Sequence, residues 1–490
     1  MHILALDQGT TSSRAILFDL QGKVLSSAQQ EFKQSFPKPG YVEHDGEEIW
    51  SSTYSVAKKA IEEGRVSPKD IAAIGISNQR ETTLIWDRST SKLICPAIVW
   101  QDRRTTEICE NLKAKKLEPL FNQKTGLLLD PYFSATKIRW ILDHIEGAQE
   151  KAARGELAFG TVDSFLVWRL TKGALHITDV SNASRTLLFN IHTLKWDEEL
   201  LDLLNIPESI LPEVRSNSEV YGSTASGIFS GPIPIGALAG DQQAALFGQN
   251  CLKKGEAKAT YGTGCFLLMN TGEKPVESKQ KLLTTIAWQI DGKTSYALEG
   301  TVFIAGAAVQ WLRDNLKIIK ESKEIDELAS SVKDTDGLYF VPSFTGLGAP
   351  HWAPHARGAI FGLTRGTTAA HIALSILEAI AFSTEEVLLA MEEDAKIKVD
   401  ELHVDGGMVA SDILMQIQAN FSQIPILRSQ NRELSALGVA KLAALAVKTE
   451  ITPEEKVTEP FNPNLERSER EKMFKLWAKA VELTQKWRSQ

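Results

Sequence analysis

Three short stretches carry the residue types that phosphate and proton chemistry need. In "DQGTTSSR" (7–14) the turn around Gly9 supplies backbone N–H groups, the hydroxyls of Thr10, Thr11, Ser12 and Ser13, and the cation of Arg14. These are the groups that solvate a polyphosphate, and Asp7, at the end of an apolar run, can hold Mg2+ through water. A solvated hairpin turn is the competing reading. "TYGTGC" (260–265) repeats the pattern with Gly262, Thr263 and Gly264, so one loop from each half of the chain can grip one triphosphate. In "GALAGDQQAALFG" (236–248), Asp241 follows an apolar strand between Gly240 and Gln242. A carboxylate at a strand end, where α/β proteins place ligands, can take a proton from an attacking hydroxyl while facing Mg2+. As a lone Asp it is more often a helix cap.

Further segments add a pocket. "SNQRETT" (77–83) sets Arg80 beside Glu81 just after a buried strand, an adjacent donor and acceptor for neighbouring hydroxyls, or else an exposed surface pair. "VDGGMVAS" (404–411) ends a strand with Gly406 and Gly407, where bare backbone can lie against a nucleoside or simply turn. Gly306 and Gln310 stand four apart in "GTVFIAGAAVQWLRDN", one clearing space and one offering an amide, unless the glycine only packs helices. Trp100, Tyr132 and Phe266 are core residues by default but can wall the carbon chain of a polyol.

The elements that must position these groups alternate. Residues 2–7, then "RAILFDLQGKVLSSAQQEF" joined at Gln21-Gly22, predict a three-stranded meander. "HDGEEIWSSTYSVAKKAIEEG" predicts a helix carrying Ile49, Tyr54, Ala57 and Ile61, and "DIAAIGIS" a buried strand. "GEAKATYGTGCFLLMNTGE" (255–273) repeats the opening strand, turn and strand. Strands and helices that alternate predict an α/β chain of two related halves, 1–249 and 250–490, closing on a shared cleft. Phe474, Trp477 and Val481 predict a terminal docking helix.

Bulk properties exclude other classes. At 490 residues, 43% of them hydrophobic, the chain is folded and multidomain. A formal net charge of −8 gives no basic field for nucleic acid. Four widely spaced cysteines predict reduced thiols, and the opening "MHILALDQ", with no apolar window of spanning length, predicts a cytoplasmic protein without membrane insertion.

Together "LDQGTTSSR", "SNQRETT", "VWQDRR", "YFSATKIRWILDH", "AGDQQAALFGQ", "TYGTGCFLLMNTG" and "GAIFGLTRGTTAAHIALSILEAIAF" resemble the FGGY family of carbohydrate kinases, in the family's order along nearly the whole chain. The resemblance implies two actin-like (ribonuclease H-like) domains of the actin-like ATPase superfamily around a cleft. It implies the family's glycerol-phosphorylating branch, with ATP and Mg2+, giving sn-glycerol 3-phosphate, and assembly as a homodimer or homotetramer. It further implies that Arg80, Glu81, Trp100, Tyr132, Asp241, Gln242 and Phe266 bind glycerol, with Asp241 as general base. Thr10, Thr11, Ser12, Arg14, Thr263, Gly306, Gln310, Gly407 and Ser411 would meet the nucleotide, and Asp7 and Asp241 the metal. Ser411 stands where members carry Asn, and His351 and His355 stand where Tyr is usual, as loop substitutions with no third metal ligand. Segment 223–236 lacks both the loop through which some relatives bind fructose 1,6-bisphosphate and the histidine that others phosphorylate, so neither control is expected. Two alternatives stand beside this reading: a family kinase of another polyol or a ketose, and an actin- or chaperone-like ATPase.

Overall fold

A computed structural model describes residues 1–431, 433–452 and 460–487. Two six-stranded sheets organise it. In the first, His2–Gln8, Ser12–Phe18 and Val24–Glu31 form the expected meander, and Ile71–Asn78 and Pro234–Gly240 follow parallel to the opening strand. In the second, Ala257–Tyr261, Cys265–Gly272 and Lys293–Val302 repeat the meander, with Leu402–Asp405 and Ile426–Arg428 added in parallel. Each sheet gains one antiparallel edge strand, Ser218–Ser223 in the first and Leu283–Ile290 in the second. The shared five-strand order makes the two halves copies of one plan.

The parallel strands are apolar on both faces because helices cover both. Helix Gly46–Glu63 lays Ile49, Val56, Ala57 and Ile61 on the first sheet, and Asp45 caps it by accepting from the Glu47 N–H at 2.8 Å. Tyr54, expected on that face, is half-buried and donates its hydroxyl to the Ile228 carbonyl instead. Helix Arg467–Lys486 docks as expected, with the Trp477 ring stacked on Phe382 at 5.1 Å. All four cysteines are free, and among the described residues no helix is long and apolar enough to cross a membrane.

One helix crosses between the halves. Leu434–Ala446 follows the second sheet in sequence yet packs on the first, its backbone bedded on Gly75 and Gly236 of two first-sheet strands and crossing helix Asp241–Gly248 through Gly438 and Gly248.

Helix Ala369–Ala395 is mostly buried, and burial there raises the Glu378 carboxyl to about 8, with Asp334 adding to the effect. A carboxyl whose folded pKa lies above its unfolded one stabilises the fold while protonated and loses that contribution as pH rises through the folded value. Melting temperature is therefore expected to fall from about pH 4.5, the ordinary carboxyl value, to about pH 8, and Glu378→Gln is expected to flatten that fall in scanning calorimetry.

Candidate active site

The parallel strands of the first sheet all end at one edge, and each delivers a reactive residue there. Asp7 closes the first strand, Arg80 and Glu81 follow the second, and Asp241 follows the third at the start of a helix. Asp7 accepts a 2.7 Å hydrogen bond from Ser77 through Oδ1, and Oδ2 has no partner among the described residues. Burial raises its carboxyl to about 6; the Ser77 bond and Arg14 oppose this, and the carboxylates of Asp241 and Glu433 add to it. In the adjoining turn the Gly9 N–H closes on the Ser12 carbonyl at 2.9 Å. Thr10 accepts from the Trp100 indole at 3.0 Å, and Ser12 from Gln29 at 3.0 Å, while Thr11 is exposed. Ser13 departs from expectation. The strand's alternation turns it into the core against Ser52 at 2.8 Å, so the loop presents three hydroxyls and not four. Arg14 ion-pairs with Glu433 at the start of the crossing helix.

Arg80 and Glu81 are 3% and 1% exposed, which removes the surface-pair reading. Glu81 holds a left-handed φ of 60°, an uncommon conformation for a residue with a side chain, within a buried loop. Arg80 Nε lies 3.3 Å from Asp241 Oδ1. Glu81 Oε1 accepts from Arg185 at 2.6 Å, and its Oε2 accepts no hydrogen bond among the described residues. Burial raises the Asp241 carboxyl, and the cations Arg80 and Lys258 oppose that shift. Gln242 accepts a hydrogen bond from Lys258. The aromatic residues converge: the Trp100 ring meets Tyr132 edge-on at 5.6 Å and Phe266, from the other half of the chain, at 6.3 Å. A guanidinium donor and two carboxylates are thus gathered beside aromatic rings, an arrangement able to bind neighbouring hydroxyls of a small molecule.

The second sheet answers with its own loop. The Gly262 and Thr263 carbonyls accept from the N–H groups of Ala305, Gly306 and Ala307, fastening the loop to the start of helix Gly306–Asp314. A Cβ on Gly306 would meet the Gly262 carbonyl at 2.6 Å, so this glycine packs the helix start against the loop, and Gln310 is exposed one turn on. Gly407 is exposed, with nothing within 4 Å of an added Cβ. Ser411 is buried; its hydroxyl donates to Asp326 at 2.6 Å and accepts from the Leu414 N–H at 3.0 Å, capping helix Asp412–Ser422. His351 pairs with Glu386 at 3.1 Å.

The donor set suits Mg2+. Asp7 and Asp241 offer only carboxylate oxygens, and their mutual repulsion in one cleft is relieved by a hard cation that keeps most of its waters. Among the described residues no group of three or more His, Cys, Asp or Glu is placed to hold a metal, so a softer closed site is not built here.

Sequence reasoning passed over Arg185, Lys258, Glu299, Asp326 and Glu433. Two of them left a signal: Lys258 and Glu299 are each the only charge in the strand that carries it, apart from a terminal Lys293.

The chain matches the models of the FGGY family of carbohydrate kinases, the N-terminal domain over residues 2–248 and the C-terminal domain over 257–447. It is 57% identical to glycerol kinase of Caldanaerobacter subterraneus subsp. tengcongensis, over 99% of both chains. It is 56% identical to glycerol kinase 2 of Thermotoga maritima, again over 99% of each. Its fold matches the crystal structure of Plasmodium falciparum glycerol kinase with ADP at a TM-score of 0.92 and 38% identity, covering 99% of this chain and 98% of that one.

Proposed function

The chain belongs to the FGGY family of carbohydrate kinases, and from that premise we propose that it phosphorylates glycerol with ATP and Mg2+, giving sn-glycerol 3-phosphate. The observation that carries the reading is the buried Arg80 and Glu81 set beside the partly exposed carboxylate of Asp241, with Trp100, Tyr132 and Phe266 converging nearby. The high identity to glycerol kinases over the full length supports glycerol over other polyols.

The mechanism follows from the residues. Arg80 donates to one hydroxyl and Glu81 Oε2 accepts from its neighbour, which leaves the terminal hydroxyl facing Asp241. Asp241 takes that proton as the oxygen attacks the γ-phosphorus in line. The first loop, with Thr10, Thr11 and Ser12, and Thr263 of the second hold the phosphates from opposite sides. Arg14 exchanges Glu433 for phosphate oxygens and balances their charge. Gly306, Gln310, Gly407 and the Ser411 turn form the nucleoside side. Asp7 and Asp241 would hold Mg2+, which when bound would supply neutralising charge to the phosphates. Cytoplasmic location and assembly as a homodimer or homotetramer belong to the same proposal and rest on the resemblance; light scattering tests the assembly.

The direct test is ADP release from Mg-ATP across a panel of polyols and ketoses. Turnover that depends on glycerol is expected. Turnover indifferent to every polyol would move the protein to the shape-changing ATPases. The nucleoside side has its own test. Because Gly407 has open space around it, Gly407→Ala is expected to fold normally and to raise the KM for ATP about tenfold while leaving that for glycerol unchanged.

A further inference from the structure

Arg80 and Glu81 do not hold themselves in place. Glu299 takes two hydrogen bonds from Arg80, at 2.5 Å from Nη1 and 3.0 Å from Nη2. The same carboxylate accepts from Arg185 Nη2 at 2.9 Å, and Arg185 Nε donates to Glu81 Oε1 at 2.6 Å. The four side chains alternate in charge, sum to zero, and are between 0% and 3% exposed. Against the upward push of burial, Arg185 and Arg80 hold the Glu299 carboxyl below its ordinary value, so it remains charged.

We propose that Glu299 and Arg185 are positioning residues that fix the Arg80 and Glu81 fork and so select which polyol hydroxyl meets Asp241. Stability alone does not account for them. A buried ion network of this kind is commonly no more stabilising than apolar side chains of similar volume, so its value lies in fixing geometry. The geometry it fixes is that of the pocket: the Arg185 guanidinium lies 5.6 Å from the centre of the Tyr132 ring and bonds directly to Glu81. Glu299 stands in Lys293–Val302, opposite Leu268 and Leu283 in the second sheet, whereas its partners belong to the first half of the chain. The fork is therefore held only while both halves are in contact, which ties the polyol site to the junction between them. Among the described residues neither side chain hydrogen-bonds to the nucleotide loops, so their influence falls on the polyol.

The inference rests on the polyol-kinase reading, and its test separates the two. Glu299→Gln and Arg185→Lys would be compared with the native protein for KM of glycerol, KM of ATP, melting temperature and the enantiomer of glycerol phosphate formed. Native protein that gives no glycerol phosphate overturns the functional reading itself. With that activity present, each folded variant is expected to raise the glycerol KM at least tenfold, to move the ATP KM less than twofold, and to release a mixture of the two enantiomers. A folded variant that keeps the native glycerol KM and the native enantiomer overturns the proposal. Loss of folded protein lowers rate without changing product handedness, so the enantiomer ratio isolates positioning from stability. Arg185→Lys keeps the network neutral and decides the matter if Glu299→Gln does not fold.

Discussion

Asp241→Asn is expected to lower glycerol-dependent kcat about a thousandfold with the KM for ATP little changed, because a positioned general base contributes roughly 10²–10⁴. The substitution keeps shape and the acceptor near Arg80 Nε but removes the site that takes the proton. It is not expected to unfold the protein. Burial raises the Asp241 carboxyl above its ordinary value even with Arg80 and Lys258 opposing it. A carboxylate whose folded pKa is raised weakens the fold at neutral pH, so the neutral amide leaves melting temperature unchanged or higher. Arg80 retains both hydrogen bonds to Glu299. Rate and melting temperature measured together check the claim: retained glycerol turnover assigns the base elsewhere, and a fall in melting temperature assigns the loss to structure. The same electrostatics predict the direction of the pH profile. Activity falls as Asp241 is protonated, and that limb lies above the range of an unperturbed carboxylate because the folded pKa is raised.

The comparison of sequence with structure turns on which signals are local. The meander, the duplicated strand and glycine turn, and the strand ends carrying Asp7 and Asp241 all follow from periodicity and small residues within about ten positions, and the strands lie where the pattern put them. Arg80 and Glu81 were legible as an adjacent pair, but their burial was not, because burial depended on Glu299 and Arg185 more than one hundred positions away. Ser13 was misread for a related reason: a run of hydroxyls does not reveal which member the pleat turns inward, and here Ser52 receives it. The crossing helix was the least legible element. "LSALGVAKLAALA" is apolar all round, as a helix buried between layers must be, and nothing local says which sheet it covers. The glycines that receive it sit in strands read only as buried.

That helix yields the other large effect. Gly438→Ala is expected to destabilise the protein by about 3 kcal/mol or more, because overpacking between fixed backbones has no rotamer through which to relax. A Cβ at 438 would lie 1.8 Å from the Ala244 carbonyl oxygen, and a Cβ at 248 would lie 2.2 Å from that of Leu434. Both clashes are with backbone, so the two helices must separate. The crossing helix has no room to retreat: Gly75 approaches the Val439 carbonyl from the sheet, where a Cβ would come within 2.5 Å. The helix that must shift is Asp241–Gly248, whose first residue is the proposed base, and the Ser435 hydroxyl, which donates to the Asp241 carbonyl at 3.2 Å, moves with its partner. A displacement of about 1 Å at a reacting group costs on the order of a hundredfold in rate. Gly438→Ala is therefore expected to lower both melting temperature and kcat even at temperatures where the protein stays folded. Gly231→Ala, whose Cβ would meet nothing closer than 3.9 Å, is expected to change neither. Equal behaviour of the two variants in calorimetry and turnover would show that the helices are not seated on each other through these glycines, and would detach Asp241, the proposed base, from the crossing helix.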